Sequence, residues 1–369
     1  MDNNTKNEEY LNSKCPNCGS ELKYLPGQMK VKCVSCESTF DIASLGRGKL
    51  DDEEQDFQET IQKLKEKKQL TKPQRTIHCS DCGGLIYIND RTVSTICPFC
   101  GSNRVVVENK EEEVLNIKGV IPFQLKEDYV STNFRKWIKK KFFAPGKFKK
   151  GVASPTYSAF YIPFYTFDSD THTDYTALRG DYYYTTRTIS TKNGTRTVTE
   201  RHTRWTPVRG NFDQAFDDIL IPGTNNILNK YIVQIGTSYD FAVMERYQEN
   251  FLLGYVAEKP SKDLVTACED AKTSMNNTIK NMCVSRIGGD TYSDLKYKIK
   301  FSNVTFKLIM APIYNGNYEY KKKKYNFVCN GQSGKFAGSY PKSVVKISIL
   351  VFIILALVAA IFVLLYLYN

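Results

Sequence analysis

The spacing of the cysteines constrains this chain more than any other feature. Cys15, Cys18, Cys33 and Cys36 read CxxC, a gap of 14 residues, then CxxC. Cys79, Cys82, Cys97 and Cys100 repeat the pattern, each 64 residues after its counterpart, so eight of the 11 cysteines are used. A CxxC pair puts two sulfurs on one tight turn, and two such turns supply four thiolates for a tetrahedral zinc ion. The 14-residue gap is slightly shorter than the roughly 15–20 common in such ribbons, but sterically easy. The knuckles Cys15-Pro16-Asn17-Cys18-Gly19 and Cys97-Pro98-Phe99-Cys100-Gly101 suit the geometry. Proline presets the turn, and the glycine lets backbone N–H groups approach the sulfurs. Disulfides would not need duplication at identical spacing. Two zinc ions are therefore expected.

Charge and the chain ends narrow the setting. The formal charge is +12, and each four-thiolate zinc site carries −2, so two filled sites leave +8. That excess favours phosphate-bearing partners, either nucleic acid or anionic lipid. The N-terminus shows no basic-then-apolar signal peptide, and thiolate zinc sites need the reduced cysteines of a cytosol. Residues 347–368 are 22 positions without charge, glycine or proline. At about 1.5 Å per residue they span about 33 Å, enough to cross a bilayer. A buried core helix would carry a polar face, which this stretch lacks. Lys335, Lys342 and Lys346 precede it and only Asn369 follows. The positive-inside rule then puts the N-terminal bulk in the cytoplasm, behind a single-pass tail anchor.

The expected fold class is multidomain: two small β zinc ribbons, a helical spacer, an α+β domain rich in antiparallel strands, and one C-terminal transmembrane helix. Ribbon 1 is read over 10–46, with Pro26-Gly27 as its turn, and ribbon 2 over 76–107. Between them, 50–72 runs from acids (Asp51 to Glu54) to lysines (Lys63 to Lys68), with Phe57, Ile61 and Leu64 at helical spacing and Pro73 as its stop. The charged run Glu108 to Glu113 marks the boundary of an α+β domain over 115–340. Helices are expected over 126–143 and from Ser261, as N-cap, to about Arg286. Strands are expected over 160–168, 232–235, 297–301, 304–309, 318–320 and 325–329, with turns at Asn315-Gly316 and Asn330-Gly331. Asn193-Gly194 predicts a hairpin over 182–205 that protrudes into solvent. Its expected register sets Ile189 against Val198, Arg187 against Glu200 and Tyr182 against Trp205.

The paired ribbons, the stretch Phe160-Tyr161-Ile162-Pro163-Phe164-Tyr165-Thr166-Phe167-Asp168, the stretch Gly254-Tyr255-Val256-Ala257-Glu258 and Tyr325 to Lys335 together carry a resemblance. The chain resembles prokaryotic zinc-ribbon proteins of the transcription-factor-IIB type, some with a C-terminal membrane helix, often labelled primosomal or replication-restart helicases. The resemblance covers nearly the whole chain and implies an architecture, not an activity. Cys329 departs from it, standing where the family usually has another residue. The residues do not support the helicase label. A phosphate-cradling loop reads GxxxxGK[ST], whereas here Cys329 replaces the first glycine and Phe336 the Mg2+-binding hydroxyl.

Other chemistry is sparse among three histidines. His78 adjoins a site already complete with four cysteines. Asp168, Asp170, His172 and Asp174 would share one face of a strand, where a divalent ion would support a metal-dependent hydrolase; a solvated polar face is the plainer alternative. His202 lies in the protruding hairpin, and no Ser/His/Asp arrangement is evident. Cys268 and Cys283 fit packed core positions. The run Lys321 to Lys324 fits either lipid phosphates or an edge strand guarded by lysine.

The expectation is a non-enzymatic binding or adaptor protein, anchored in the membrane lipid, whose ribbons engage a protein partner. Nucleic-acid binding through the ribbons and the arginine-rich hairpin is the alternative. On ribbon 2 only Tyr87, Phe99, Arg91 and Arg104 offer the aromatic and basic mix such binding favours. Metal analysis of the protein should give about two zinc ions per chain, falling to about one when Cys79 and Cys82 become Ser. Full folding in the metal-free state would refute this, since such sites contribute on the order of 10 kcal/mol.

Overall fold

The computed structural model describes residues 14–42, 54–66, 71–81, 83–87, 97, 102, 104–113, 115, 117–151, 155–191, 194–225 and 228–368. Cys82, Cys100, Phe99, Arg91, Asn193 and the first and last parts of the spacer lie outside them. The chain is multidomain, with sheets that are mostly antiparallel, several helices and one long apolar helix at its C-terminal end.

The first sheet joins β1 (Leu22–Leu25), β2 (Lys30–Cys33) and β3 (Thr39–Asp41) as an antiparallel meander. After β4 (Gln55–Asp56) comes α1 (Phe57–Glu66), which seats Phe57, Ile61 and Leu64 on the body. The second three-stranded sheet joins β5 (Thr71–Cys79), β6 (Leu85–Tyr87) and β7 (Val105–Glu113). One sequence expectation fails here: Pro73 lies inside β5 and does not stop a helix, while Glu108 to Glu113 lies in β7, paired with β5. The antiparallel register carries the pair outward from Cys79↔Val105 to Thr71↔Glu113.

The remaining elements, together with β4, build a nine-stranded sheet. They are β8 (Gly119–Val120), α2 (Glu127–Lys139), α3 (Gly146–Lys150), β9 (Thr156–Thr191), β10 (Gly194–Pro222) and α4 (Asn229–Gly236). Next come β11 (Glu245–Arg246), β12 (Val256–Ala257), α5 (Leu264–Ile287), β13 (Thr291–Tyr320), β14 (Lys323–Asn330), β15 (Phe336–Gly338) and α6 (Val344–Tyr368). Strand β9 is central. It runs 36 residues, with β10 antiparallel on one edge and β13 antiparallel on the other. The outer edge of β13 carries β4 at Thr305–Phe306, β8 at Ile309–Met310 and β14 from Ile313 onward.

Strand parity assigns the faces. Tyr161, Tyr165, Phe167, Phe306, Leu308, Met310 and Tyr314 point one way, where α2, the first ribbon and α5 cover them. Phe160, Ile162, Phe164, Ile309, Ala311 and Ile313 point the other way, against α4 and the buried Ile77, Cys79 and Cys97 of the second ribbon. The two three-stranded sheets, where the ribbons are expected, thus sit on opposite faces of the large sheet. Neither stands free: the Tyr24 N–H donates to the Leu253 carbonyl (3.0 Å), and the Lys259 N–H to the Leu85 carbonyl (3.0 Å).

Three local readings are corrected. The stretch 232–235 is helix α4, because Leu228, Ile232 and Ile235 recur at helical spacing and bury one stripe. Asp263, not Ser261, caps α5, accepting from the Thr266 N–H at 2.9 Å. Asn315-Gly316 lies within β13 and is no turn. The actual turn is Lys321-Lys322, both with left-handed φ (51° and 61°), the conformation of a tight hairpin turn. Gly316 is instead required by a close approach, since a Cβ there would lie 2.4 Å from the Phe327 ring.

Beyond Gly180, where β13 begins to pair at Thr291, β9 and β10 continue as a two-stranded arm. Residues 181–191 extend it about 36 Å at about 3.3 Å per residue. Its register is two residues from that expected: Arg187 faces Val198, Ile189 faces Arg196 and Tyr182 faces Thr203. Gly194 opens β10 opposite Thr191, at φ 122°, and so belongs to the strand, not to the turn. An even slide keeps every side chain on its face. Arg187 and Glu200 still meet, diagonally, at 2.6 Å.

Gly316→Ala should lower stability by about 1–3 kcal/mol, because the strand cannot retreat from the Phe327 ring without breaking its ladder. Gly146→Ala, where a Cβ meets open space, should be neutral or stabilising by up to about 1 kcal/mol. Denaturant titration in detergent reads both.

Candidate metal centre

Two knuckles of the first ribbon bring four sulfurs together. The Cys15 carbonyl accepts from the Gly19 N–H (2.8 Å), and the Cys33 N–H donates to the Ser38 carbonyl (2.9 Å). Gly19 (φ 74°) and Glu37 (φ 61°) occupy the same left-handed position, four residues after Cys15 and Cys33. The Sγ atoms of Cys15 and Cys36 stand 3.6 Å apart, those of Cys18 and Cys33 3.4 Å, and all four lie within 4.8 Å of one another. Zn–S bonds of about 2.3 Å require tetrahedral edges of about 3.8 Å. The cluster fits that requirement and could hold one zinc ion, and the Cys15, Cys18, Cys33 and Cys36 thiols are free of disulfides.

The surroundings prepare thiolates unevenly. Burial pushes the Cys15 thiol up to about 11, whereas the Ser38 hydroxyl and backbone hold Cys36 down to about 6. Ser20 lowers Cys18 by the same kind of hydrogen bonding. The Ser35 and Cys36 N–H groups point at Cys33 Sγ (3.4 and 3.5 Å). A divalent cation bound there would displace the remaining protons, coupling its binding to proton release. The Asn17 amide donates to Ser38 Oγ at 3.0 Å and clasps the two knuckles together.

Much of this frame recurs 64 residues later. The Gly83 N–H donates to the Cys79 carbonyl (2.9 Å), the Cys97 N–H to the Ser102 carbonyl (2.6 Å), and Gly83 repeats the left-handed φ of 74°. The clasp recurs as Ser102 Oγ donating to Asp81 (2.5 Å), with Arg104 paired to the same carboxylate (2.8 Å). Cys79 and Cys97 are buried. Their partners Cys82 and Cys100 lie outside the described residues. The clasp was legible in the sequence only as Asn17/Ser38 and Asp81/Ser102 sharing the cysteine offset.

The strand expected to align Asp168, Asp170, His172 and Asp174 does place all four on one face, with Ser169, Thr171 and Thr173 buried on the other. It does not gather them into one site. His172 Nδ1 pairs with Asp213 (2.6 Å) and Nε2 with Asp174 (3.6 Å), while Asp170 accepts from the Asn303 amide (2.9 Å). Asp168 instead joins Glu54, Asp217 and Asp218 around Lys307. Bulges on both neighbours make the room, one at Phe216/Ile219 and one at Ser302/Thr305. The ammonium of Lys307 reaches Glu54 (3.0 Å) and Asp218 (3.6 Å) and is itself the cation of this cluster. Sequence reading missed the network, although one lysine in the apolar run Val304 to Ile309 signals a buried charge in need of partners.

Burial and a hydrogen bond with Glu54 push Asp168 up to about 7, against the Asp218 N–H that donates to it at 2.5 Å. Burial also raises Glu54, but hydrogen bonds from Asp168, Lys307 and Thr305 outweigh it and hold that carboxyl low. Burial depresses Lys307, yet Glu54 and Asp218 hold it above the usual lysine value.

The loop Gly331 to Lys335 joins β14 to β15, two strands. A phosphate-cradling loop opens a helix, so the fold adds no support for the helicase label. Cys268 and Cys283 pack along the buried stripe of α5. Burial pushes the Cys329 thiol far up, which leaves it inert.

The native state keeps the Asp168 proton until about pH 7, whereas an ordinary aspartate releases it near 3.8. The stability this proton contributes is complete below about pH 4 and is lost as pH rises through 7. Asp168→Asn, which mimics the protonated acid, should flatten the decline between pH 5 and 8 and gain on the order of 1–2 kcal/mol at pH 8. Lys307→Met should cost about 3–5 kcal/mol, because it strands buried carboxylates. Guanidinium titrations at the two pH values check both.

The chain is similar to the uncharacterised protein YdjG of Bacillus subtilis (strain 168), 24% identical over 345 residues, which are 92% of each chain. No family model matches the sequence. No solved structure matches it.

Proposed function

We propose that this chain is a zinc-binding adaptor, anchored by α6 in a membrane with its bulk in the cytoplasm, and a member of the zinc-ribbon group it resembles. The observation that carries this is the Cys15/Cys18/Cys33/Cys36 cluster, packed on the same body that launches an apolar helix long enough to cross a membrane (Val344–Leu367). Cys79, Cys82, Cys97 and Cys100 would hold a second ion through the repeated knuckles. Zinc here is structural, since four thiolates leave no open coordination position for substrate. Opposite faces of one sheet then present two rigid ribbons to a protein partner. No residue in this proposal acts as a catalyst.

Nucleic-acid binding is a second reading with one observation behind it. On the arm, Arg201 stacks 4.4 Å over Tyr182 and Arg204 lies 5.7 Å over Tyr183, while Tyr184 and Trp205 are exposed. Such cation–aromatic platforms suit single-stranded nucleic acid.

Deleting residues 344–369 should release soluble protein, and protease added outside intact cells should spare both ribbons. Digestion of the ribbons would reverse the orientation. The arm separates the two readings. Replacing Arg187, Arg196, Arg201 and Arg204 by Gln should disturb co-purification with a protein partner and leave nucleic-acid affinity weak throughout. If the arm grips nucleic acid, the slope of log affinity against log salt becomes shallower by about 2.8 on a single strand, or about 3.6 on duplex DNA.

A further inference from the structure

The helix α6 does not leave the body at a random point. The Ser343 N–H donates to the Phe143 carbonyl (2.8 Å), and Lys346 Nζ donates to the carbonyls of Phe142 (2.9 Å) and Ala144 (3.0 Å). The first apolar residue of the span, Ile347, follows at once. The α2–α3 turn is therefore held within about one helical turn, roughly 5 Å, of the point where the chain enters hydrocarbon. At that turn Phe142 is 68% exposed, with its ring 5.6 Å from Lys346 Nζ.

A second basic segment converges on the same end. Phe148 of α3 is buried against Tyr318 (5.6 Å) and Tyr320 (4.8 Å), and Tyr320 leads directly into the Lys321-Lys322 turn. Two lysine-rich stretches about 170 positions apart, 139–150 and 321–324, thus share one end of the molecule with Lys342. Neither 129–167 nor 320–369 contains an aspartate or glutamate. Lys139, Lys140, Lys147, Lys150, Lys321 and Lys342 are all exposed.

We infer that this end of the molecule is a docking platform for anionic phospholipid headgroups, with the lysines on the phosphates and Phe142 inserted at the interface. The inference rests on α6 being the membrane helix. An exposed aromatic ring among lysines at the entry point of a membrane helix matches the interfacial zone, where apolar rings bury and cations meet phosphate. A tethered platform gains roughly fivefold per lysine near an anionic surface. It thereby orients the sheet and both ribbons relative to the bilayer, which a single flexible anchor would not do.

The test uses the full chain with p-benzoylphenylalanine at position 142 or, separately, at 358, reconstituted in bilayers of phosphatidylcholine alone or with phosphatidylglycerol. Lipid adducts are read by mass spectrometry after illumination. Position 358 should give adducts in both bilayers. Position 142 should give at least about threefold more with phosphatidylglycerol, a gain abolished in 1 M salt, where charges are screened beyond about 3 Å. The quadruple change Lys139→Gln, Lys140→Gln, Lys147→Gln and Lys150→Gln should abolish it too. Equal yields at 142 in the two bilayers would overturn the platform while leaving the anchor intact. Absent adducts at 358 would instead overturn the anchor and the platform with it. Preferential crosslinking of position 142 to an added RNA or DNA oligonucleotide would assign the surface to nucleic acid and overturn the lipid inference.

Discussion

Strand β9 is hydrogen-bonded by β10 and β13 together from Phe164 to Gly180, and the rest of the structure depends on that double ladder. Successive side chains must alternate faces, and a slip of one residue would expose the whole core. With β10 and β13 both locked to it, parity decides what each face becomes. One face carries Tyr161, Tyr165 and Phe167 under α2 and α5; the other carries Phe160, Ile162 and Phe164 under α4 and the second ribbon. The same alternation continues past the core and sorts Thr171 and Thr173 inward while His172 and Asp174 face water.

Where the polar and apolar stretches of β9 meet, the ladder loosens on both sides. Bulges in β10 and β13 flank Asp168 and admit Glu54, Asp218 and the buried Lys307. The lysine is tolerated there because two carboxylates and a shared proton compensate it in place of water. The result is a network of carboxylates drawn around one buried ammonium. The neighbouring His172 is occupied by Asp213 on the adjacent strand.

The ribbons contribute buried side chains to the main cores. Tyr24 packs at 5.6 Å against Phe251 with the rings tilted, and Cys15 and Cys33 lie in one continuous apolar cluster with Phe123, Tyr161 and Tyr314. The geometry of the Cys15, Cys18, Cys33 and Cys36 cluster is therefore coupled to the packing of the central sheet, not confined to a small appended module. The same coupling reaches the start of the long apolar helix, since Phe134 and Phe148 of that cluster hold the α2–α3 turn on which α6 is seated.

The sequence by itself determined the features that need only local spacing. A CxxC knuckle, an 18-residue or longer apolar run and a period of two or of 3.6 are set by bond geometry within a few residues. The clustering of Cys15, Cys18, Cys33 and Cys36, the apolar span, most strands and the apolar stripe of α1 were legible for that reason. Tertiary structure alone decided whatever depends on a distant neighbour. Gly316 is glycine because Phe327 leans over it from the next strand, although in sequence Asn315-Gly316 has the form of a turn. Lys307 is charged and buried because Glu54, some 250 residues away, reaches it. The two lysine runs share one end because Phe148 packs on Tyr318 and Tyr320. Such contacts form between segments whose separation carries no periodic trace, so only the folded chain reveals them.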